Sequence, residues 1–480
     1  MFKTIVKKEL LETIFSYRFP LFAVICLLLV PLGMAVNEAA YAKRVRDYSD
    51  QVRLADEAAA AIKIQDIMAG TVVIKGFRRP APLSVFTQGF ESTLPRYYEF
   101  TQDGFKPGES ANDDETILSV QGKVDFVFLV QMVISLIAML FASDMISGEK
   151  EAGTLRAMLA NSLPRDALLS GKIGGGFLAL WVPFLLAFLF GAVVLMFGAF
   201  PLTGGDTAVR VLIVLLATSL FILTYFTIGI AVSTSTSKAR TSLVAILIIW
   251  AAFQLIVPRL GDMIARLAHP VRTETQVSLQ KSLLVRSLDT ETAKELGRQY
   301  DLIFKGAPEG AANDENSPER KKWDPIRDDI QNRARETKSQ QLSAIDETYL
   351  QERRRQLDLA VSLSLVSPSA AFARFIADVC GTGELERAKY VEAVRSHQKA
   401  LDNELFSKVK RTLMMHEGGG MSMSFSAQPV DASKLPRFAI APATIAETLK
   451  ANARSLISLL VWLIAPFAFA YVKFIKYDVR

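Results

Sequence analysis

Six apolar runs govern what this chain can become. They cover residues 19–36, 124–142, 173–200, 209–232, 242–258 and 455–472. Each approaches the roughly 20 residues that an α-helix needs to cross a ~30 Å hydrocarbon core. Backbone in lipid must satisfy its own hydrogen bonds, so runs of this length demand helices. Their interiors carry no Asp, Glu, Lys or Arg, and their polar residues are mild, Gln131 and Gln254 among them. Pro31, Pro183 and Pro466 are expected to kink the helices that hold them. The reading is a mainly α membrane protein with six transmembrane helices, and the 50% hydrophobic content over 480 residues agrees.

Short flanks set the orientation. Lys3, Lys7, Lys8 and Arg18 precede the first run; Lys150, Arg156, Arg165 and Lys172 lie between the second and third. Lys238 and Arg240 separate the fourth and fifth, and Lys473, Lys476 and Arg480 follow the sixth. Positive charge in short flanks marks the cytoplasmic side. The segments 1–18, 143–172 and 473–480 are therefore expected inside, with both termini cytoplasmic. Residues 37–123 and 259–454 become two large extracytoplasmic insertions. The first is helix-prone to residue 68, then forms short strands or extended stretches at TVVIKGFRR and SVFTQGF. The second is mostly helical over 273–305, 318–359 and 384–415, with loop chemistry at 306–318. Residues 366–384 are more apolar and are expected to pack on the membrane surface or line its entrance. The net charge of +6 is explained in part by the basic flanks, and no nucleic-acid motif accompanies it. Cys26 and Cys380 fall in different environments, which argues against a disulfide, and their spacing does not suggest zinc.

The segment between the second and third runs is too polar to cross lipid, yet Leu155, Met158, Leu159 and Leu163 form one helical stripe. Glu149 and Glu151 lie near its start and Arg156 further on, which suits the helix dipole. Pro164 ends it, because the residue before a proline leaves the α region. The expectation is a short amphipathic helix over 149–163 at the cytoplasmic membrane surface. Residues 1–17 carry Phe2, Ile5, Val6, Leu10, Ile14 and Tyr17 on one side. They form either a helix lying in the interface or the first turns of a longer helix entering the bilayer.

Coupled transporters hold ionisable groups at mid-membrane, and this chain offers none there. Nor does it contain a GxxxxGK[ST] phosphate loop; GKIGGGF lacks the spacing, and Gly174, Gly175 and Gly176 suit close helix packing instead. Energy for any transport must come from a separate subunit gripping the cytoplasmic face.

SGEKEAGTLRAMLANSLPRDALLSGK, residues 147–172, resembles the cytoplasmic loop of ABC-2 type permeases: Glu149, Glu151, Gly153, Thr154, Leu155, Pro164, Arg165, Gly171 and Lys172 fit its pattern. KKELLE, with Lys7, Lys8, Glu9 and Glu12, resembles the interfacial helix before their first span. RRPAPLSVFTQGFE (78–91) and LVSPSAAFARFIADVCGTGE (365–384) are similar to segments of the larger members of the multi-copper-enzyme maturation branch. The resemblance implies a chain with no catalysis of its own in a bacterial inner membrane. It implies a second permease, identical or a paralogue, and two cytoplasmic ABC ATPase subunits that hold ATP and Mg. The helix over 149–163 would be the coupling helix, with Arg156 and Leu159 beside the motif residues. A further reading keeps the coupling but has the outer regions act on a periplasmic partner, nothing crossing the spans; a third, a membrane-anchored scaffold, abandons it.

Two outer clusters remain. Met414, Met415, His416, Met421 and Met423 crowd MMHEGGGMSM, and thioethers with imidazole suit Cu(I). Met at a helix end usually packs, and no metal site is assigned. Arg353, Arg354 and Arg355 form a solvated face or meet lipid headgroups or an acidic partner.

Overall fold

The computed structural model describes residues 2–61, 73–101, 104–108, 125–160, 164–201, 204–308, 310–312, 314, 316–404, 409–415, 421–427 and 436–477. Among these are six helices long and apolar enough to cross a membrane, Arg18–Glu57, Phe126–Glu151, Arg165–Met196, Gly205–Ser235, Ala239–Ala268 and Ala453–Ile475. The chain divides into two units, residues 1–256 with 365–480, and residues 257–364.

The larger unit starts with α1 (Phe2–Ile14). A turn at residues 15–17 separates it from α2 (Arg18–Ala61), so the N-terminal helix is not the beginning of the first span. The Ala-rich stretch after residue 36 holds no breaker, and α2 continues through it in one 44-residue helix that includes Pro31. The second candidate span is α3 (Phe126–Leu129), a π turn (Val130–Ile134) and α4 (Ser135–Ala142). Two short helices follow, α5 (Ser147–Glu151) and α6 (Thr154–Ala160), then α7 (Arg165–Met196) and α8 (Gly205–Ser235). The fifth begins as α9 (Ala239–Ala251) with a second π turn (Ala252–Ile256).

Small residues let these helices approach. A Cβ on Gly229 would sit 2.6 Å from that of Ala142, and one on Gly191 would meet Met34. The core is aromatic and continuous: Phe126, Phe184, Phe188, Phe221, Tyr225 and Phe226 are fully enclosed.

The smaller unit continues with α10 (Val257–Ala268), α11 (Glu274–Phe304) and the 47-residue α12 (Pro318–Ser364). A capping box at Thr273 and Gln276 opens α11. Helices α11 and α12 pack together, tied by Lys281–Asp346 at 2.6 Å and Lys338–Asp289 at 3.6 Å.

The chain re-enters the larger unit at residue 365 with α13 (Pro368–Val379), α14 (Glu384–Glu404), α15 (Ile445–Ala451) and α16 (Ala453–Ile475). Helix α13, from the segment expected at the membrane surface or lining its entrance, packs between α8 and α16, with Phe372 stacked on Phe221 at 4.2 Å. Its N-terminal Ser367 caps Ser369 and Ala370 and donates to the Phe253 carbonyl at 2.6 Å. The two glutamines of the π turns close this end: Gln131 donates to Ser369 at 2.8 Å, and Gln254 to Ser135 at 3.1 Å. Each of the two π turns, with its one extra residue per turn, carries one of these glutamines.

A three-stranded antiparallel sheet lies in the first insertion: β1 (Ile74–Phe77), β2 (Tyr97–Thr101) and β3 (Gly104–Pro107), in register Gly76↔Tyr98 and Phe100↔Phe105. SVFTQGF, expected as extended chain, instead contributes to two 3₁₀ turns, Pro82–Val85 and Gly89–Ser92. Pro82 starts the first, and Gly89 (φ 43°) takes a left-handed conformation that breaks any strand. Helix α14 was expected to reach residue 415; it ends at Glu404, and β4 (Val409–Met415) pairs antiparallel with β5 (Met421–Ala427), Met415↔Met421. His416 lies outside the described residues, as do residues 62–68 of the expected first outer helix. Among the described residues no group of three His, Cys, Asp or Glu is placed to hold a metal. Cys26 and Cys380 are buried free thiols.

The sheet packs on α14. Phe100, Tyr390, Val394 and Leu401 form a separate small core with Phe438 against it. His397 is buried there, 4.6 Å from the Phe100 ring and 5.4 Å from Phe438 between centroids. Burial lowers its pKa below the ordinary imidazole value. A histidine whose folded pKa is depressed contributes fully above its unfolded pKa of about 6.5 and loses that contribution as pH falls through the folded pKa. The β2 amides are therefore expected to exchange faster below about pH 6 once intrinsic rates are corrected, and His397→Phe to remove that acid dependence. Equal protection of β2 in both proteins at acid pH would refute this.

Candidate functional site

The 143–172 segment sits at one end of the larger unit's helices and touches most of them. It is not the single helix expected over 149–163. Gly153 adopts φ 77°, a conformation side chains avoid, and divides it into α5 and α6. Leu155 is fully buried, while Met158 and Leu159 pack half-buried on the core, as a helical stripe requires. Leu163 lies outside the described residues. Thr154 opens α6, its hydroxyl 3.4 Å from the Glu149 carbonyl. Gly153, Thr154 and Arg156 are exposed, so α6 buries one side and presents the other.

Helix α5 is anchored at both ends. The N–H groups of Ile146 and Ser147 donate to Ser233 Oγ of α8 at 3.1 and 3.0 Å. The Lys150 ammonium donates to the carbonyls of Thr234 and, at 3.1 Å, Thr236, and lies 5.3 Å from the Tyr477 ring centre. Those carbonyls are at the end of α8, where a cation is favoured. The exposed Glu151 carboxylate accepts from Ala239 N–H at 2.9 Å, at the start of α9. Pro164 occupies the N-cap of α7, and Arg165 donates to the carbonyls of Ile475 and, at 3.0 Å, Tyr477, holding the end of α16.

At the centre is a buried group of three charges. Lys172 of α7 is 1% exposed at its side chain and donates to Glu9 of α1 at 2.8 Å and Glu149 of α5 at 2.6 Å. The other Glu149 oxygen is buried with no hydrogen-bond partner among the described residues, so Lys172 alone holds this carboxylate. Lys8 adds contacts to Glu9 at 3.4 Å and to Glu12 at 3.2 Å; Lys7 and Glu12 are exposed. The geometry thus unites the two sequence elements, Lys7–Glu12 and the 147–172 loop, through Lys172, whose bridging role sequence alone does not reveal. The available signal was a lysine at the start of an apolar run, where an unpaired cation is costly.

Glycines make this meeting close. A Cβ at Gly171 would lie 2.6 Å from Ile5 Cγ2, and one at Gly175 2.7 Å from Glu9 Cβ and 2.8 Å from the Val6 carbonyl. The small-residue positions of α7 therefore receive α1. Arg18, at the start of α2, pairs with Asp144 at 2.9 Å, fixing the same end.

Asp125 and Arg210, charges at the far ends of the second and fourth runs, serve as caps. Asp125 accepts from Phe128 N–H at 2.8 Å and Gln88 N–H at 3.2 Å; Arg210 donates to the carbonyls of Val379, at 2.8 Å, and Ala443. The interiors of the candidate spans hold hydroxyl and amide bonds. At this end the described residues form two short helices, α5 largely covered and α6 with one exposed side, fastened to α1, α7, α8, α9 and α16. A family model described as ABC-2 family transporter protein matches residues 3–479. No curated protein matches the chain.

Proposed function

This chain belongs to the ABC-2 transporter family, and from that premise we propose that it is the permease subunit driven by a separate ATPase pressing on α5 and α6. The observation that carries the proposal is the buried Lys172 bridge between Glu9 and Glu149. A push on α6 passes through Gly153 to α5, and from there through charges and hydrogen bonds to the spans. Rigid elements with a hinge convert a local displacement into tilting. In this reading both termini and the α5–α6 segment are cytoplasmic, at the bacterial inner membrane. Two ATPase subunits bind ATP and Mg, a second permease completes the complex, and this chain binds no cofactor. The transport it serves is export or translocation across that membrane. We place the chain with the larger members of the multi-copper-enzyme maturation branch; in support, the two resembling segments meet, Phe90 N–H donating to the Thr382 carbonyl at 2.7 Å.

The test is Glu149→Ala combined with Gly153→Leu. The first leaves Lys172 paired with Glu9, and the second strains an exposed left-handed turn at about 1 kcal/mol. The variant should remain folded and bind its ATPase while losing at least tenfold of the stimulated hydrolysis in liposomes. Wild-type stimulation in that variant would remove α5–α6 as the coupling element. The length of α12, 47 residues or about 70 Å, favours a second reading in which it drives a periplasmic partner. Shortening the α11–α12 hairpin by whole heptads would then abolish activity while leaving stimulated hydrolysis intact.

A further inference from the structure

Helix α10 is amphipathic in an unusual place. Leu260, Met263, Ile264 and Leu267 recur at helical spacing and are all exposed, an unbroken apolar stripe. Gly261 and Ala265 turn the opposite way and are buried, Gly261 against Ser364 of α12. At 100° per residue Arg259 and Arg266 fall together on the edge of the stripe nearest Met263.

Beside Arg266 opens a cavity of about 440 Å³, lined by Arg266, Arg272, Arg353, Glu274, Tyr349 and Gln356. Its guanidiniums differ in how far they are satisfied. Arg272 pairs with Glu352 through two contacts of 3.2 Å. Arg353 is 3.7 Å from a Glu274 carboxylate that is 80% exposed, a loose pair. Arg266 is exposed and makes no ion pair among the described residues. Three cations against two carboxylates leave an excess of one, with two guanidiniums free to turn toward an anion. Planar forks of this kind match phosphate oxygens.

The fifth candidate span, Ala239–Ala268, has 30 residues. At 1.5 Å each it is about 45 Å long, against a ~30 Å hydrocarbon core. That leaves about ten residues more than the core requires, enough for the stripe to lie at the boundary of hydrocarbon and headgroup, where an apolar face edged by arginine is suited.

We propose that α10 and the adjoining cavity bind an anionic phospholipid, its acyl chain along residues 260–267 and its phosphodiester on Arg266 and Arg353. Glu274 yields its loose contact to the incoming phosphate. The proposal rests on the permease reading only in requiring that the chain span a bilayer.

Full-length protein would be placed in nanodiscs of equal phosphatidylglycerol and phosphatidylcholine, extracted gently, and its retained lipid counted by native mass spectrometry. Wild type should retain phosphatidylglycerol over phosphatidylcholine by about tenfold or more, and each arginine replaced in Arg266→Ala and Arg353→Ala should lower that ratio about fivefold. Met263→Gln with Leu267→Gln should lower total retained lipid at unchanged helix content. A double arginine variant that keeps the wild-type ratio overturns the proposal. So does inorganic phosphate that displaces the lipid competitively, since a soluble anion would then be the ligand. Lys172→Met should leave lipid retention intact while losing ATPase stimulation, so failure of this site and failure of the coupling reading are separately visible.

Discussion

Lys172→Met should loosen the end of the chain where α1, α5 and α7 meet and abolish ATPase stimulation. The substitution leaves Glu9 and Glu149 facing one another without their cation, in a site where the lysine side chain is 1% exposed. Removing one member of a buried ion pair typically costs about 3–5 kcal/mol, because the remaining charge stays desolvated. The melting temperature in detergent should fall by several degrees. The triple variant Lys172→Met, Glu9→Gln, Glu149→Gln removes the stranded charges and should recover most of the melting temperature. It should not recover stimulation, because α1 and α5 then lack their shared anchor on α7. Recovery of both properties would reduce the three charges to packing, and an unchanged single variant would deny that they are buried together in solution.

Gly175→Leu should detach α1 from α7. A Cβ at this position meets the Val6 carbonyl at 2.8 Å and the Leu10 nitrogen at 3.2 Å, and backbone cannot turn aside as a side chain can. Overpacking usually costs about 1–3 kcal/mol, and here the cheapest relief is displacement of one short helix. Residues 2–14 should become open to protease, the Lys172–Glu9 contact should be lost, and stimulation should fall with it. Gly174→Ala is the control: its Cβ lies 3.6 Å from Val6 Cγ2, ordinary contact, and it should behave as wild type. Equal protease resistance in both variants would show that α1 is held by something other than this glycine face.

The apolar runs were legible because lipid leaves the backbone few options: four fall wholly within one of the six long helices, and the runs 124–142 and 173–200 overrun theirs only at an end. Their ends were not. Nothing in the Ala-rich residues after 36 stops a helix, so α2 simply continues. The amphipathic stripe of Leu155, Met158 and Leu159 was also readable, since it repeats at helical spacing. The break at Gly153 was not, because a glycine inside such a pattern is compatible with both a continuous helix and a turn. At SVFTQGF the opposite holds: aromatic and β-branched residues suit extended chain, but Pro82 and Gly89 punctuate the segment locally and 3₁₀ turns form. The site was legible as two motifs but not as one object. Lys172 meets Glu149 across 23 residues and Glu9 across 163, and no local periodicity encodes a contact of that range.

The small sheet has a consequence for how the protein is made. Tyr390 donates to the carbonyl of Pro95, 295 residues earlier, and Gln398 to that of Thr101. Strands translated early must wait, with Phe100 uncovered, until four further spans and helix α14 have left the ribosome. Contacts so distant close slowly. Biogenesis of this protein therefore includes an interval in which a half-built module stands in need of a holdase or of protection from proteolysis, an interval that a shorter relative without the second insertion would not face.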